Sequence, residues 1–199
     1  MTVEKNYKFT AHTSKLISKA NQRLAHISKV KDIIPKKQLK MLMDSIVFSV
    51  LGWGVEMTGR DLTNMRRLQL VQNVGMRILT DSGMEMSIRV MIARLKMLNM
   101  NNLARFKRMM QIRRVINEKK CPKTLSYVVM PRGDSRTKQI RTTFPNNLER
   151  QSGKSMLVNG LRLLNDSNWW RDRDGDLDRT FKEMAKRFLL ERYDNGKIL

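Results

Sequence analysis

Apolar residues recur at spacings of three and four between residues 14 and 118, which is the period of helices with one buried face. The first such stripe lies in residues 14–31, with Ser14 as the predicted N-cap. A second helix is predicted with Pro35 in its first turn, and it is predicted to end where two glycines flank Trp53. The two predicted stripes are Ile17, Ala20, Leu24 and Ile27, then Leu39, Leu42, Met43, Ile46 and Val50.

The stretch RRLQLVQNVGMRILTDSG, residues 66–83, predicts a third helix that ends on a turn, and the turn offers N-caps for the next helix. Its apolar stripe includes Gly75, although a glycine inside a helix costs about 1 kcal/mol relative to alanine. We therefore expect another helix to approach closely at Gly75. The predicted buried face is Leu68, Val71, Gly75, Ile78 and Leu79, and the opposite face carries Arg66, Asn73 and Arg77.

Residues 84–98 and 102–118 predict a helical hairpin, interrupted where Asn99, Asn101 and Asn102 compete for backbone hydrogen bonds. A last helix is predicted over about 177–193, with Thr180 and Glu183 at capping-box spacing. The apolar faces are Leu103, Phe106, Met109, Met110 and Ile116 in the hairpin's second arm, and Phe181, Met184, Ala185, Phe188 and Leu189 in the last helix.

These patterns predict a mostly α protein, a small bundle of about six helices with a basic irregular segment near 131–155. A chain of 199 residues is long enough to bury a core in one domain or two small ones. We predict a helical bundle over 1–125 and a second region over 126–199, in which the C-terminal helix packs on the basic segment.

Charge narrows the class of partner. Forty Lys and Arg against eighteen Asp and Glu give a net charge of +22, which attracts polyanions. Nucleic acid is the leading candidate, because each neutralised phosphate releases a counterion. An anionic membrane surface is the alternative, although no stretch approaches the roughly 18 apolar residues of a membrane span. An intracellular location, nuclear or cytoplasmic, is favoured, and the Lys-, Ser- and Thr-rich first thirty residues leave a mitochondrial one open.

Two basic runs are the candidate contacts. The denser one lies in the hairpin's second arm, where few acids intervene to pair with the cations. Its alternative interpretation is a solvated helix face. In the irregular segment, cations follow one another while Phe144, Tyr127 or Trp53 offers a ring for base stacking. The predicted nucleic-acid-binding residues are Arg66, Arg67, Arg77, Arg105, Lys107, Arg108, Arg113, Arg114, Lys119, Lys120, Lys123, Arg132, Arg136, Lys138 and Arg141.

No catalytic residue, metal site or cofactor is predicted. Cys121 is the single cysteine and the two histidines, His12 and His26, are expected at the surface, so a zinc site is not supported. The acidic stretch from Asp172 has its glycine at the fourth position of a would-be calcium loop instead of the sixth. Gly153-Lys154-Ser155 lacks the upstream glycine of a phosphate loop.

Several motifs occur in a defined order: the Trp53-Gly54 pair, then a helix with Leu68, Gln72-Asn73 and Arg77-Ile78. This order resembles the region that follows the catalytic palm of non-LTR retrotransposon reverse transcriptases, where an aromatic-glycine pair precedes a helix with leucine, Gln-Asn, arginine and isoleucine. The hairpin LNMNNLARFKRMMQIRRVINEKKCPKTL is similar to the family's next element. Leu164-Asn165 departs from the family's Trp-Asn element.

The resemblance implies a thumb-like bundle that grips a nucleic-acid hybrid. The chain has no aromatic-x-Asp-Asp turn of the kind that holds the two catalytic Mg²⁺ ions. We therefore expect a noncatalytic module that binds RNA or structured nucleic acid, with RNA slightly favoured over DNA, together with other proteins of a ribonucleoprotein. The alternatives are a structural subunit of an RNA-containing assembly such as a ribosome, and a palm-less fragment of a retrotransposon polymerase.

Overall fold

The computed structural model describes residues 9–58, 61–117, 160, 163–164 and 178–194. Within them the predicted mostly α class is confirmed, while the basic segment near 131–155 lies outside the described residues. The chain divides into two compact units, Met1–Ala104 with Leu190–Leu199, and Arg105–Leu189. The boundary predicted at 125 and 126 lies outside the described residues. The elements are α1 (Thr10–Val30), α2 (Lys36–Met43), a π-helix (Asp44–Phe48), α3 (Ser49–Leu51), α4 (Val55–Thr58), α5 (Leu62–Thr80), α6 (Ile88–Leu95), α7 (Met100–Asn117) and α8 (Asp178–Asp194).

Helix α1 is the centre of the first unit and packs on α5, the π-helix and α3. The predicted stripe is confirmed at Ala20, Leu24 and Ile27, which are buried. The predicted start is wrong, because α1 begins at Thr10 after Phe9, whose backbone is left-handed with a φ of 55°. Ser14 therefore lies inside the helix, where its Oγ accepts a hydrogen bond from Arg67 Nη2 at 3.1 Å.

The π-helix changes which residues of the second helical segment are buried. Its last turn closes with a bond from the Ser49 N–H to the Asp44 carbonyl, five residues back. This wider turn lets the buried positions repeat every four residues, whereas the predicted stripe assumed 3.6 residues per turn. Ile46 and Val50 are only half-buried. The buried residues of this segment are Leu39, Met43, Val47 and Leu51.

The close approach predicted at Gly75 is confirmed. A Cβ placed there would lie 2.9 Å from two ring atoms of Phe48 and 3.5 Å from Leu24 Cδ2. The missing side chain of α5 thus makes room for the aromatic ring of the π-helix, and the cost of a mid-helix glycine is offset by packing. Leu68, Val71 and Leu79 are buried, and Ile78 is half-buried, as the stripe indicates.

The polar residues of α5 tie it to the loops that follow. Asn73 is buried and accepts a hydrogen bond from Gln69 Nε2 at 2.8 Å, so its prediction as a solvent-facing residue is wrong. Gln72 Nε2 donates to the Leu98 carbonyl at 2.8 Å. Arg77 Nη1 donates to the Gly83 carbonyl at 2.6 Å. The residues that carry the resemblance to reverse transcriptases therefore have structural roles in this chain.

Helix boundaries after α5 differ from the prediction. Asp81 ends α5 in a left-handed conformation, as the predicted turn requires. The cap of α6 is Ser87, whose Oγ accepts a bond from the Val90 N–H, and no residue of the turn after α5 serves. Asn99 Oδ1 accepts a bond from the Asn102 N–H at 2.7 Å, so the helical break is at Asn99 and Asn102 lies within α7.

In the second unit, α7 and α8 each bury an apolar face. A Cβ on Gly160 would come within 2.6 Å of Ile112 Cγ1, so that chain segment passes close against α7. The capping box predicted at Thr180 is wrong, because α8 already begins at Asp178. Phe106, Met110, Met184 and Phe188 are half-buried. The buried residues include Arg108, Met109 and Ile112 of α7, and Phe181, Ala185 and Leu189 of α8.

Candidate nucleic-acid interface

An open pocket of about 550 Å³ lies between α1 and the turn that follows α3, entirely within the first unit. Its walls combine three kinds of group: cationic side chains, apolar surface and an aromatic ring. The cations come from one helix, and the ring comes from the turn. The lining residues are His12, Lys15, Leu16, Lys19, Arg23, Ser49, Val50 and Trp53.

The three cations form a row along α1. They are spaced four residues apart, which places them on one side of the helix, over about 12 Å at 1.5 Å per residue. No Asp or Glu occurs in α1. Lys19 is exposed and makes no ion pair or hydrogen bond to any residue that the structure describes. Arg23 Nη1 donates to the Ile46 carbonyl of the π-helix at 2.6 Å, which orients this guanidinium.

Trp53 is held at the pocket's edge by the backbone around it. The backbone N–H of Trp53 donates to the Val50 carbonyl at 3.1 Å, and Gly54 turns the chain with a φ of +70°. A Cβ on Gly54 would lie 3.3 Å from His12 Nε2, so only glycine fits this turn without strain. The indole packs on the His12 ring with centroids 5.1 Å apart and still remains 53% exposed.

His12 was expected at the surface, and that prediction is wrong. The side chain is only 4% exposed, because α1 begins earlier than predicted and Trp53 packs on the imidazole. Its Nε2 has no hydrogen-bond partner among the described residues. His26, also on α1, is exposed as predicted.

The predicted contact residues of α5 lie outside this pocket. Arg66 is exposed and unpaired with respect to the described residues. Arg67 reaches α1 at Ser14. Arg77 is half-buried and holds loop carbonyls. Lys15, Lys19 and Arg23 were not predicted as contact residues, because basic stretches were chosen by the number of cations per residue. The signal that could have found them is the regular spacing of four residues in a helix that contains no Asp or Glu.

The predicted contact residues of α7 are less open to solvent than expected. Arg108 is buried, and its contact with a phosphate stays a prediction. The Arg113 guanidinium carbon lies 4.2 Å from the centroid of the Phe181 ring, a cation–π contact. Arg105 and Lys107 are half-buried, and Arg114 is exposed. The residues outside the described ranges are Lys119, Lys120, Lys123, Arg132, Arg136, Lys138 and Arg141.

Two other kinds of site, a metal centre and a membrane span, are absent from the part of the chain that the structure describes. There, no group of three or more His, Cys, Asp or Glu is placed to hold a metal ion. No helix of the described ranges is long and apolar enough to cross a bilayer. No protein-family model, curated protein or solved structure matches the chain.

Proposed function

We propose that this chain is a noncatalytic nucleic-acid-binding helical module, which contacts RNA or structured nucleic acid through its phosphates within a ribonucleoprotein. The observation that carries the proposal is the row of Lys15, Lys19 and Arg23 along an open pocket, on a helix without a carboxylate. The overall charge of +22 adds a field that draws a polyanion toward such a row.

The row costs folding stability unless something neutralises it. Like charges at i,i+4 destabilise a helix by about 0.2–0.5 kcal/mol per pair, and here no acid on α1 offsets them. Ion pairs form at other places in the same unit, with Lys31 Nζ at 3.0 Å from Asp81 and Lys40 Nζ at 3.4 Å from Asp44. A phosphate backbone offers a counter-charge to Lys19, which is exposed and has no ion pair among the described residues, and its contacts position the partner without reading its sequence.

The proposed origin is the region after the palm of a non-LTR retrotransposon reverse transcriptase. The Trp53-Gly54 turn and the polar residues of α5 support this origin, because they carry the resemblance to that family. They also make hydrogen bonds within the fold, such as the bond from Gln72 to the Leu98 carbonyl. The thumb-like role that the resemblance implies is the gripping of a nucleic-acid backbone without chemistry. RNA is slightly favoured over DNA on that ground alone.

The test is the binding of the full chain to a labelled RNA as salt is raised, followed by fluorescence anisotropy. Three single-strand phosphate contacts predict an affinity loss of about twentyfold between about 50 and 200 mM salt. Lys15→Gln/Lys19→Gln should weaken binding at low salt. Arg89→Gln/Arg94→Gln removes the same charge from exposed positions of α6 and should leave the affinity nearly unchanged.

Two results would contradict the proposal. Absence of binding to any nucleic acid at low salt would exclude a nucleic-acid partner. Equal weakening in both double variants would show that net charge alone acts and that the row on α1 is not the contact. Thermal unfolding of the isolated chain separates the module from a structural subunit of a larger assembly, since the module should unfold cooperatively and such a subunit should fold poorly by itself.

A further inference from the structure

Beyond phosphate contact, the pocket itself has the composition of a site for a flat aromatic ligand. Its volume of about 550 Å³ lies inside the range of roughly 300–1,000 Å³ that is typical of small-molecule sites. Leu16 and Val50 supply apolar wall, and Trp53 supplies an aromatic surface at the edge. Cations stand along one side, on α1. A nucleotide has the complementary composition, since an apolar ring face is joined to an anionic phosphate.

We propose that this pocket binds an unpaired nucleobase stacked on Trp53, while Lys15 and Lys19 bind the phosphates on either side of it. This inference rests on the proposed function, because it names which form of nucleic acid the same surface selects. A base inside a duplex is already paired and stacked, so it does not reach a ring behind a row of backbone contacts. The chain should therefore prefer single-stranded segments to duplex.

The Trp53 ring is preorganised for stacking. The backbone bond to Val50, the left-handed Gly54 and the packing on His12 fix its position before any ligand arrives. At 53% exposure, a large part of the indole surface stays open to a second ring. Preorganisation lowers the entropy cost of binding, since neither the turn nor the ring has to be ordered by the ligand.

His12 gives a second indication that a polar ligand belongs here. Its imidazole lines the pocket and is more than nine-tenths buried, and Nε2 has no hydrogen-bond partner among the described residues. A buried polar atom without a partner is uncommon in folded proteins. The exocyclic amino and carbonyl groups of nucleobases are donors and acceptors that can satisfy such a nitrogen.

The test compares the full chain's affinity for two single strands of equal length and equal phosphate number. One carries bases, and the other carries abasic sites along its central part. The wild-type chain should bind the base-bearing strand roughly five- to hundredfold more tightly, which is the effect of stacking one base on an aromatic side chain. A duplex of the same length carries twice the phosphates, so we expect its affinity to come from charge alone and to be the same for the wild-type chain and for Trp53→Leu.

Two variants assign the preference to the ring. Trp53→Leu keeps apolar bulk without a π system, so it should abolish the preference while the affinity for the abasic strand stays at the wild-type value. That unchanged affinity also shows that the variant is folded. Trp53→Phe should keep part of the preference, since a smaller ring still stacks.

The outcomes separate this inference from the function on which it rests. Equal wild-type affinity for the two strands would overturn base stacking and leave phosphate binding intact. A preference that survives in Trp53→Leu would overturn it as well, because the base would then be bound elsewhere. Failure of every strand to bind at low salt would remove the proposed function first, and the stacking site with it.

Discussion

Helices α1 and α7 are both rich in cations, and the structure uses those cations in opposite ways. On α1 the lysines at positions 15 and 19 stand exposed beside an open pocket. On α7 Arg108 is buried and Arg113 covers the ring of Phe181. Charge density along the sequence is greater in α7, but accessible charge is greater in α1. The spacing of cations around a helix therefore indicates which of them stay accessible better than their number does.

The physical reason lies in how each sequence distributes its apolar residues. In α1 the buried residues lie along one face and leave the cations on another side. In α7 the segment RFKRMMQIRRVI mixes cationic and apolar residues around the whole helix, so a buried face must include an arginine. Arginine tolerates this because its aliphatic stem packs in the interior while its guanidinium finds partners inside the protein.

The largest expected effect comes from truncating one cation of each helix. Arg108→Ala should lower the free energy of unfolding by about 1–3 kcal/mol, because the buried packing of the side chain is lost. Lys19→Ala should change it by no more than about 0.5 kcal/mol, as is usual at the surface. Denaturant unfolding of both variants measures the difference, and equal losses would erase the contrast between α1 and α7.

A smaller loss is expected in α5, where Gly75 packs against Phe48 and α1. Gly75→Ala should destabilise the protein by about 1–2 kcal/mol net, because overpacking against Phe48 outweighs the gain in helix propensity. Gly83→Ala is the matched control, since nothing lies within 4 Å of a Cβ there. The thermal midpoint of each variant measures the effect. A Gly75→Ala variant as stable as the control would show that the close approach does not constrain the fold.

The cation–π contact of α7 should be weaker still. A double-mutant cycle with Arg113→Met and Phe181→Leu should give a coupling energy of about 0.5–1 kcal/mol in unfolding experiments. The reason is that the guanidinium lies over the ring face and is attracted by its quadrupole. Additive effects, with a coupling energy near zero, would mean that Arg113 is as available to a ligand as the lysines of α1.

The smallest effect is expected at the surface ion pair between Lys31 and Asp81. The hydrogen bond from Lys31 and its positive charge hold the pKa of the Asp81 carboxyl below its ordinary value of 3.8. The same bond, followed by the nearby charge of Asp32, raises the pKa of Lys31 above 10.5. The contribution of this ion pair to the free energy of unfolding is therefore fully present between pH 3.8 and pH 10.5, the ordinary pKa values of the two groups. It is lost in acid as Asp81 gains a proton and in base as Lys31 loses its proton.

Asp81→Asn tests that pair without changing the backbone preference, since asparagine tolerates the left-handed conformation at this helix end. The thermal midpoint should fall slightly at neutral pH, and the difference should vanish as the pH drops below 3.8 and as salt is added. A difference that persists unchanged in acid would assign the effect to the cap and not to the charge.

Sequence reasoning located the helices, including α8 to within about one residue at each end, but it missed the start of α1 and the cap of α6. The stripe of α1 was correct at Ala20, Leu24 and Ile27, because these residues follow the helical period strictly. The start was missed because the first turn has no apolar stripe and begins on a left-handed phenylalanine. The burial of Val47 was missed because a π-turn is a tertiary adjustment that no local periodicity indicates.

The site was less predictable than the fold. Trp53 was predicted to offer a ring for base stacking, but its place beside the cations of α1 depends on the packing of α1 against α3, which is distant from it in sequence. His12 was assigned to the surface for the same reason, since the residue that covers it comes forty positions later. Burial of a polar residue such as Asn73 likewise depends on partners that only the folded chain supplies.

The central claim is that the cations of α1 contact the phosphates and those of α7 do not. The most direct measurement is the dependence of RNA affinity on salt for Lys15→Gln/Lys19→Gln and for Arg105→Gln/Lys107→Gln. Each single-strand phosphate contact adds about 0.7 to the slope of the logarithm of affinity against the logarithm of salt concentration. The double variant of α1 should therefore make this slope shallower by about 1.4, and the double variant of α7 should leave it unchanged. A slope that changes only in the α7 pair would contradict the account.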